Sequence, residues 1–519
     1  MLEAKKYQAF YTKSTPLVDY MVSKLSLKIG DKIFEPCGGD GVFVEAILQE
    51  NENSFVDIYE LNSNSIEILR NKFSKYPQIR IKECDTLLDN ELLFHSDFGG
   101  LYDKIIANPP YGAWQDYSKR SKIKKLYANL YVNETYGLFL YRCIKLLKDG
   151  GILTFIIPDT YLNLHMHKAL RKYFLTETKI KELALFPSSF FPGVNFGYAN
   201  LSIITLQKLA NKFECLNNQF KILTNFPNVN HFSNINEDKL SLYSFTQDEI
   251  LSNPDHAFLI SSNTSITKLI NESDLKIGDI SSCVTGFYSG NDKLYLRPLN
   301  DNVKNSKKYQ VVDDSTINFE YLSHENILEG IRDNKCFVPI VKGGNTKYLK
   351  PNSWYMNWSE DAVKKYKSEK KARYQNPKFY FKFGIGVPMI SSSTITASLI
   401  ENKLFDQSIV GIFPKDETLT YYLLAFFNSP TCNKIIRTIN PSANNPSNYI
   451  KKIPYIPPSQ DQDEIINKKI QSILDQLRKF NTYDLSDQDE INQIIEADLQ
   501  FPSSSCISKN QNSVAFSRY

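Results

Sequence analysis

The residues best suited to chemistry in this chain are Asn108, Pro109, Pro110 and Tyr111, directly after an apolar run at 104–107. The run predicts a buried strand, and open α/β folds bind ligands at the carboxyl ends of such strands. The two prolines stiffen the segment, and its carbonyl groups can accept hydrogen bonds. The Asn108 side-chain oxygen and the Pro109 carbonyl can accept hydrogen bonds from both hydrogens of an amino group on a flat base. The Tyr111 ring can stack on that base. A proline-rich turn that only ends the strand is the alternative.

A second group of polar residues predicts a cofactor site. A loop with three glycines within 38–41 follows the first predicted strand, and glycine lets a backbone pass close to a ligand. Glu35 precedes this loop, Glu60 ends the second strand and Asp85 follows the third. Acidic groups cost energy beside a phosphate, so the pattern departs from a dinucleotide fingerprint. It suits S-adenosylmethionine, with Glu60 near the ribose diol and Asp85 near the adenine amino group. Taken alone, the glycine loop could be only a tight turn, and each acidic residue could be only a solvated strand end.

The elements that must position these residues alternate between strand and helix over the first two hundred residues. The pattern predicts strands at 32–34, 56–59, 79–82, 104–107 and 151–157, and helices at 42–49, 66–73 and 135–147, the last with a glycine C-cap. This alternation predicts an α/β fold with a doubly wound, mostly parallel sheet.

The pattern changes near residue 210, and from about 250 to 458 short strand-like runs and many aromatic residues predict a C-terminal α+β domain. We therefore expect one domain at 1–245 and another at 246–458. The remaining segment, 459–519, is predicted to contain an amphipathic helix from 461 to 480 and a disordered tail. That helix would pack on its own chain or contact a partner.

Composition restricts the class of protein. A chain of 519 residues with 42% hydrophobic and 23% charged side chains predicts a soluble, multidomain protein. No apolar run is long enough to span a membrane and no signal peptide is evident, so we expect a cytoplasmic protein. The eight cysteines show no metal-ligand spacing, and His165 and His167 predict a solvated helix start, so no metal is expected.

The order of these motifs resembles that of the amino-group DNA methyltransferases. The similarity covers residues 7–207, includes Phe139 and 147–158, and is closest to the TaqI-like and Eco57I-like N6-adenine enzymes with gamma-type motif order. It implies a Rossmann-like methyltransferase sheet, catalysis by Asn108 to Tyr111, and stacking of the target base on Tyr111 and Phe191. It also implies that S-adenosylmethionine is bound by Tyr11, Thr12, Glu35, Pro36, Gly39, Gly41, Phe43, Glu60 and Asp85.

The resemblance implies a site-specific adenine-N6 methyltransferase of a restriction-modification system, acting on an adenine flipped out of double-stranded DNA. N4-cytosine methylation is one alternative, although Ser or Asp would then be expected in place of Asn108. An inactive DNA-binding specificity factor is another, although the acidic residues and the catalytic loop are intact. We expect a monomer. Because the motifs begin near the N-terminus, we also expect that any cognate restriction endonuclease is a separate protein.

Two further segments suit contact with nucleic acid. Residues 284–290 and 341–345 resemble parts of a target-recognition domain, and polar loops on an aromatic scaffold suit base-edge readout in the major groove. A β-rich packing domain is the alternative. The segment 119–125 holds five basic residues and is predicted to be a loop, either in contact with phosphates or merely solvated.

Overall fold

A computed structural model describes residues 14–112, 117–191, 200–261, 263–318, 328–391, 394–440 and 444–500. The chain forms two compact units, Met1–Ser262 and Asn263–Tyr519. Tyr11 and Thr12, which were predicted to bind the cofactor, lie outside the described residues, as does the predicted tail after residue 500. Within the described ranges, no helix has the length and apolar composition needed to cross a membrane.

The first unit contains nine strands and nine α-helices. The strands are β1 Lys32–Glu35, β2 Phe55–Glu60, β3 Ile79–Glu83, β4 Tyr102–Ala107, β5 Leu147–Pro158, β6 Thr178–Phe186, β7 Leu201–Lys208, β8 Gln219–Thr224 and β9 Ser241–Thr246. The helices are α1 Thr15–Ser23, α2 Val42–Glu50, α3 Ser63–Lys72, α4 Asn90–Asp97, α5 Tyr117–Leu126, α6 Thr135–Leu146, α7 Lys168–Glu177, α8 Lys212–Leu216 and α9 Gln247–Ser252. These counts refer to the described residues.

The nine strands form one sheet in the order β3-β2-β1-β4-β5-β7-β6-β8-β9. The five strands from β3 to β5 are parallel, whereas β7 runs antiparallel to both β5 and β6. The predicted doubly wound α/β sheet is therefore confirmed. The strand order reverses at β1, which lies between β2 and β4, and such a reversal opens a crevice at the carboxyl ends of the strands.

The central strands are apolar because helices cover both faces of the sheet. Ile105 and Ile106 on β4 and Phe155 on β5 are fully buried. The predicted glycine C-cap of α6 is wrong, since that helix ends at Leu146 and the next residue is already extended. Gly150, at φ +79°, instead lies within the first part of β5, where the pairing register with β4 shifts.

The second unit combines two four-stranded sheets with helices. The sheets have the orders β10-β17-β14-β15 and β11-β13-β12-β16. The strands are β10 Ser281–Thr285, β11 Leu296–Pro298, β12 Phe337–Val341, β13 Trp354–Asn357, β14 Phe383–Pro388, β15 Ser398–Glu401, β16 Leu404–Phe405 and β17 Ile409–Pro414. The described helices are α10 Thr264–Glu272, α11 Ile277–Ile280, α12 Asp292–Tyr295, α13 Glu360–Ser368, α14 Thr420–Phe427, α15 Pro430–Ile439, α16 Ser447–Ile450, α17 Gln460–Phe480 and α18 Leu485–Gln500.

The helix predicted at 461–480 is α17. It begins with a capping box formed by Ser459 and Gln462. Its apolar stripe, including Ile466 and Ile470, is buried, and the helix packs on α14 and α18 of its own unit. Helix α18 was not predicted, because its sequence is mostly polar. Among its described apolar residues, Ile491 and Ile495 are buried, which gives only a weak helical pattern in the sequence.

Candidate active site

The glycine loop between β1 and α2 forms a cradle at the crevice. The Gly38 N–H donates to the Tyr59 carbonyl at 3.0 Å, and the Gly41 N–H donates to the Gly38 carbonyl at 2.8 Å. Gly41 has φ +78°, and a Cβ there would lie 2.6 Å from the Phe73 ring. Glycine is therefore required at residue 41 both for backbone conformation and for close packing against Phe73.

Glu60 at the end of β2 holds this loop in place. One carboxylate oxygen accepts from the Gly39 N–H at 2.8 Å. The other accepts from the N–H groups of Leu61 at 2.7 Å and Asn62 at 2.8 Å. Charge-assisted hydrogen bonds of this kind are stronger than neutral ones, so Glu60 fixes the loop as well as presenting a negative charge to the crevice.

Glu35 at the end of β1 has the opposite environment. Its side chain is buried, and within the described residues its Oε2 atom has no hydrogen-bond partner. Burial raises the pKa of Glu35 well above its usual value, the carboxylates of Asp40 and Glu60 raise it further, and Lys72 lowers it. A buried carboxyl of this kind is poised to receive a cation, which would restore the ionised form.

The loop after β3 is joined to the glycine loop and to α5. The Thr86 hydroxyl donates to the Pro36 carbonyl at 2.6 Å. The Asp85 carboxylate accepts from the Leu87 N–H at 3.1 Å and from the Lys119 ammonium at 3.0 Å. These contacts orient Asp85 at the third strand end, next to the loop that carries Pro36.

The Asn108–Tyr111 segment follows β4 directly and is fastened at several points. The Cys37 thiol donates to the Asn108 carbonyl at 3.4 Å, which joins the segment to the glycine loop. The Thr135 hydroxyl donates to the Pro110 carbonyl at 2.6 Å. The Tyr111 hydroxyl donates to the Ile156 carbonyl at 3.1 Å, and burial raises the pKa of Tyr111 well above its usual value. The segment is therefore rigid, with the Tyr111 ring held by its own hydroxyl.

A cavity of about 380 Å³ opens beside this segment. The described residues that line it are Tyr111, Gly112, Arg120, Tyr131, Val132, Asn133 and Glu134. This volume lies within the range of small-molecule sites. An aromatic ring at one wall with polar groups around it suits a flat, polar ligand.

A buried histidine supports the wall that Glu134 forms. The His167 ring nitrogen Nε2 lies 2.9 Å from Glu134 Oε2 and 3.0 Å from the Tyr136 hydroxyl. His167 is buried, so its predicted position on a solvated helix start is wrong, whereas His165 is exposed and pairs with Asp255. Glu134 lines the cavity, and its contact with His167 fixes the position of its carboxylate at the cavity wall.

The structure brings together most of the predicted site residues but separates one of them. Glu35, Glu60, Asp85 and the Asn108–Tyr111 segment all follow strands that meet at the crevice. Phe43 is buried on α2. Phe191 is also buried, after a short turn whose next residues are outside the described ranges, and it is not among the described residues that line the cavity.

Several residues at the site were missed or misassigned from sequence. The basic segment 119–125 is helix α5 rather than a loop. Its Lys119 pairs with Asp85, and its Arg120 donates to the Asn133 side chain at 3.1 Å. Glu134 was missed as well, although its position directly before α6 was a usable signal, since that helix begins beside the Asn108–Tyr111 segment.

The strand order, with its reversal at β1, and the polar residues at the strand ends there define the first unit as a doubly wound α/β domain with a site at its switch point. Residues 17–191 match the family described as Eco57I restriction-modification methylase. This part of the chain is therefore an Eco57I-type restriction-modification methylase domain.

Relatives of known name support this assignment. The Type II methyltransferase M.AccI of Acinetobacter calcoaceticus is 27% identical over 188 residues, 34% of this chain and 33% of the relative. The adenine-specific methyltransferase PglX of Lacticaseibacillus casei (strain Zhang) is 23% identical over 366 residues, 66% of this chain and 28% of the relative. The chain thus spans about a third of the length of these curated relatives.

A solved structure extends the similarity of fold to most of the chain. It is a nuclease-deletion mutant of the Type ISP restriction-modification enzyme LlaGI in complex with a DNA substrate mimic. The TM-score is 0.57 at 12% identity, over 89% of this chain and 47% of the other. At this identity the similarity shows a shared fold.

Proposed function

We propose that this protein transfers a methyl group from S-adenosylmethionine to the N6 amino group of an adenine in double-stranded DNA. The observation that carries the proposal is the meeting of three strand-end carboxylates with the rigid Asn108–Tyr111 segment at one switch point. Two comparisons support it. PglX is named as adenine-specific, and LlaGI was solved with a DNA substrate mimic.

The residues at the crevice fit S-adenosylmethionine. The cofactor supplies an electrophilic methyl group when bound. Glu35, with a buried Oε2 atom that lacks a partner among the described residues, would hold its cationic amino acid end. Glu60 would accept from the ribose diol, and Asp85 from the adenine amino group. Gly39 and Gly41 both have positive φ, which glycine adopts readily, so they shape the loop beside which the cofactor would bind.

The catalytic segment acts by holding an amino group in position. The oxygens of Asn108 and Pro109 would accept both hydrogens of the target amine, which concentrates electron density on its nitrogen. Orientation of two bound reactants can contribute about 7–11 kcal/mol to barrier reduction for ideal alignment. A strong base is not needed for this step, because the amine proton can leave after the new bond has formed.

The target base must leave the duplex to reach this segment. Extruding a base costs a few kcal/mol, and stacking on an aromatic ring returns about 1–3 kcal/mol. Tyr111 would supply this stacking at the wall of the cavity that it lines. Phe191 remains a proposed second stacking residue, and its approach to the base requires it to leave its buried position.

Methyl transfer from labelled S-adenosylmethionine to duplex DNA tests the proposal. The expected result is label on adenine N6, with transfer by Asn108→Ala reduced at least about 100-fold while its cofactor affinity stays at the wild-type value. Label on cytosine would establish the N4 alternative. Cofactor and DNA binding without any transfer would establish the specificity factor instead.

The remaining expectations about the whole protein stay predictions. They are a monomeric state, a cytoplasmic location and a separate cognate restriction endonuclease. Size-exclusion chromatography with light scattering checks the first. Co-purification with the product of a neighbouring nuclease gene checks the last.

A further inference from the structure

Four segments of the second unit converge on one surface. Phe287 pairs with Asp406 in a parallel bridge, and Tyr288 pairs with Arg373 in an antiparallel bridge. The Asp406 N–H donates to the Val341 carbonyl at 2.9 Å, which adds a fourth segment. Two of these segments, 284–290 and 341–345, are those whose sequences resemble parts of a target-recognition domain.

Alternation along these short strands gives the surface two distinct faces. Phe287 and Asp406 are buried and therefore point inward. Because neighbouring residues on a strand point to opposite sides, Tyr288, Arg373 and Gln407 point outward. We call these three residues the surface row. Arg373 is exposed, and Tyr288 and Gln407 are partly exposed.

A partly buried ionic network links the segments beneath the surface row. The Lys342 ammonium lies 3.2 Å from Asp292 and 3.3 Å from Asp406, on two different segments. The second oxygen of Asp406 accepts from the Ser408 N–H at 2.8 Å. Gly290, at φ +81°, lies so close to the 371–373 segment that a Cβ would be 2.8 Å from the Ala372 nitrogen. These contacts fix the backbone positions from which the surface row projects.

Within the surface row, Arg373 is positioned by Gln407. The Arg373 guanidinium Nη1 donates to the Gln407 side-chain oxygen at 3.3 Å. A guanidinium has five donors in a planar fork, so this contact leaves donors for a ligand while it restricts the orientation of the fork. An arginine fork matches the O6 and N7 acceptors of guanine in the major groove better than any other base edge.

The surroundings of the surface row are electropositive. Residues 360–373 contain six basic and three acidic side chains, and Lys364, Lys365, Lys370 and Lys371 are exposed. One of the acidic residues, Glu360, is paired with Arg332. A cationic surface of this kind favours a polyanion over an acidic peptide side chain, because DNA presents closely and regularly spaced charges.

We propose that Arg373, positioned by Gln407, reads a guanine in the recognition sequence, and that Lys370 and Lys371 contact flanking phosphates. This inference rests on the proposed function, because the guanine belongs to the DNA whose adenine is methylated. It goes beyond that function in naming one residue that sets sequence specificity and the base that it selects.

Methylation of a random duplex library by the full-length protein, followed by base-resolution mapping of N6-methyladenine, tests the inference. The wild-type recognition sequence should contain an obligatory guanine. Arg373→Ala and Arg373→Lys should accept other bases at that one position, with discrimination lowered about 5- to 150-fold. Gln407→Ala should relax the same position less. Arg373→Lys keeps the charge but loses the fork, so it separates base readout from general attraction.

Salt dependence of DNA binding tests the lysines. Lys370→Ala with Lys371→Ala should weaken binding equally for all sequences and reduce the slope of log affinity against log salt by about 2. Lys268→Ala, an exposed lysine on α10, is the matched control and should leave both quantities unchanged.

The outcomes separate this inference from the proposed function. An unchanged recognition sequence in the Arg373 variants, with wild-type levels of adenine methylation, overturns the inference alone. No adenine methylation by the wild-type protein overturns both. Thermal unfolding of each variant, expected within about 2 °C of wild type, shows that a relaxed sequence does not come from a damaged fold.

Discussion

Replacing Glu35 by glutamine removes a charge from the proposed cofactor site with almost no change of volume. The Glu35 side chain is 2% exposed, and its Oε2 atom has no partner among the described residues. A cationic ligand would therefore supply the first strong interaction at that atom. A hydrogen bond to a charged group contributes about 1.5–3 kcal/mol, so Glu35→Gln should weaken S-adenosylmethionine binding about 10- to 150-fold.

The pH dependence of binding gives a sharper test than affinity alone. Since burial and nearby carboxylates raise the pKa of Glu35, the free protein holds a proton there that must leave when a cation binds. Wild-type affinity should therefore increase with pH until Glu35 ionises in the free protein. Isothermal titration calorimetry in buffers of different ionisation enthalpy should detect the released proton in the wild-type protein and none in Glu35→Gln.

The same carboxyl affects stability with a defined sign. In the unfolded chain Glu35 loses its proton near its usual pKa of 4.5, whereas the folded protein keeps the proton to higher pH. The unfolded state then binds fewer protons, so this group lowers the free energy of unfolding as pH rises from about 4.5 through the raised pKa. Chemical denaturation at a series of pH values should show a shallower decline in Glu35→Gln.

Glu60→Gln is a comparison variant for the stability measurement, because the protein itself already engages this carboxylate. Its carboxylate accepts from three backbone N–H groups, so its replacement should lower the melting temperature, unlike that of Glu35. The reasoning is refuted if Glu35→Gln binds S-adenosylmethionine with wild-type affinity and releases the same number of protons.

Three other substitutions test separate parts of the structure. Tyr111→Phe keeps the ring but loses the hydroxyl that donates to the Ile156 carbonyl. We therefore expect the free energy of unfolding to fall by about 1–3 kcal/mol, while the fluorescence of 2-aminopurine at the target position still reports stacking of the base. Gln247→Leu removes four hydrogen bonds of a buried side chain and should destabilise the first unit by at least about 3 kcal/mol in urea denaturation. A smaller loss would show that water replaces them. Lys119→Met removes a partly exposed ion pair with Asp85 and should weaken cofactor binding no more than about fivefold by calorimetry, so a larger loss would indicate direct contact with the ligand.

The sequence predicted the strands β1 to β5 well because they carry strong local signals, whereas β6 to β9 were not predicted. The runs at 104–107 and 151–157 are apolar because helices cover both faces of β4 and β5, and a pattern of that kind depends little on distant residues. The glycine cap of α6 was wrongly predicted for the opposite reason. Gly150 and Gly151 resemble a helix end locally, but pairing of Leu147 with Tyr102 on β4 extends the chain before the glycines.

The sequence predicted acidic residues at the strand ends and a role for two of them, but not the contacts that each carboxylate makes with the protein. Glu35, Glu60 and Asp85 are all acidic residues at strand ends, and sequence does not show which of them are already engaged by the protein. Helix α18 was missed because few of its residues are buried, and His167 because its partner Glu134 lies 33 residues away. Each of these errors concerns a contact between segments that are distant in sequence.

The three carboxylates at the proposed cofactor site differ in the hydrogen-bond partners that the protein already gives them. Glu60 receives three backbone N–H groups and Asp85 receives one N–H and an ammonium, so both are oriented before any ligand binds. Glu35 has an Oε2 atom without a partner in the described chain. Preorganised acceptors suit neutral donors such as hydroxyl and amino groups, because they require no change of ionisation. A buried carboxyl with a raised pKa suits a cation, whose arrival makes its ionised form favourable. The distribution of partners therefore predicts that the charged end of the cofactor binds at β1 and its neutral end toward β3.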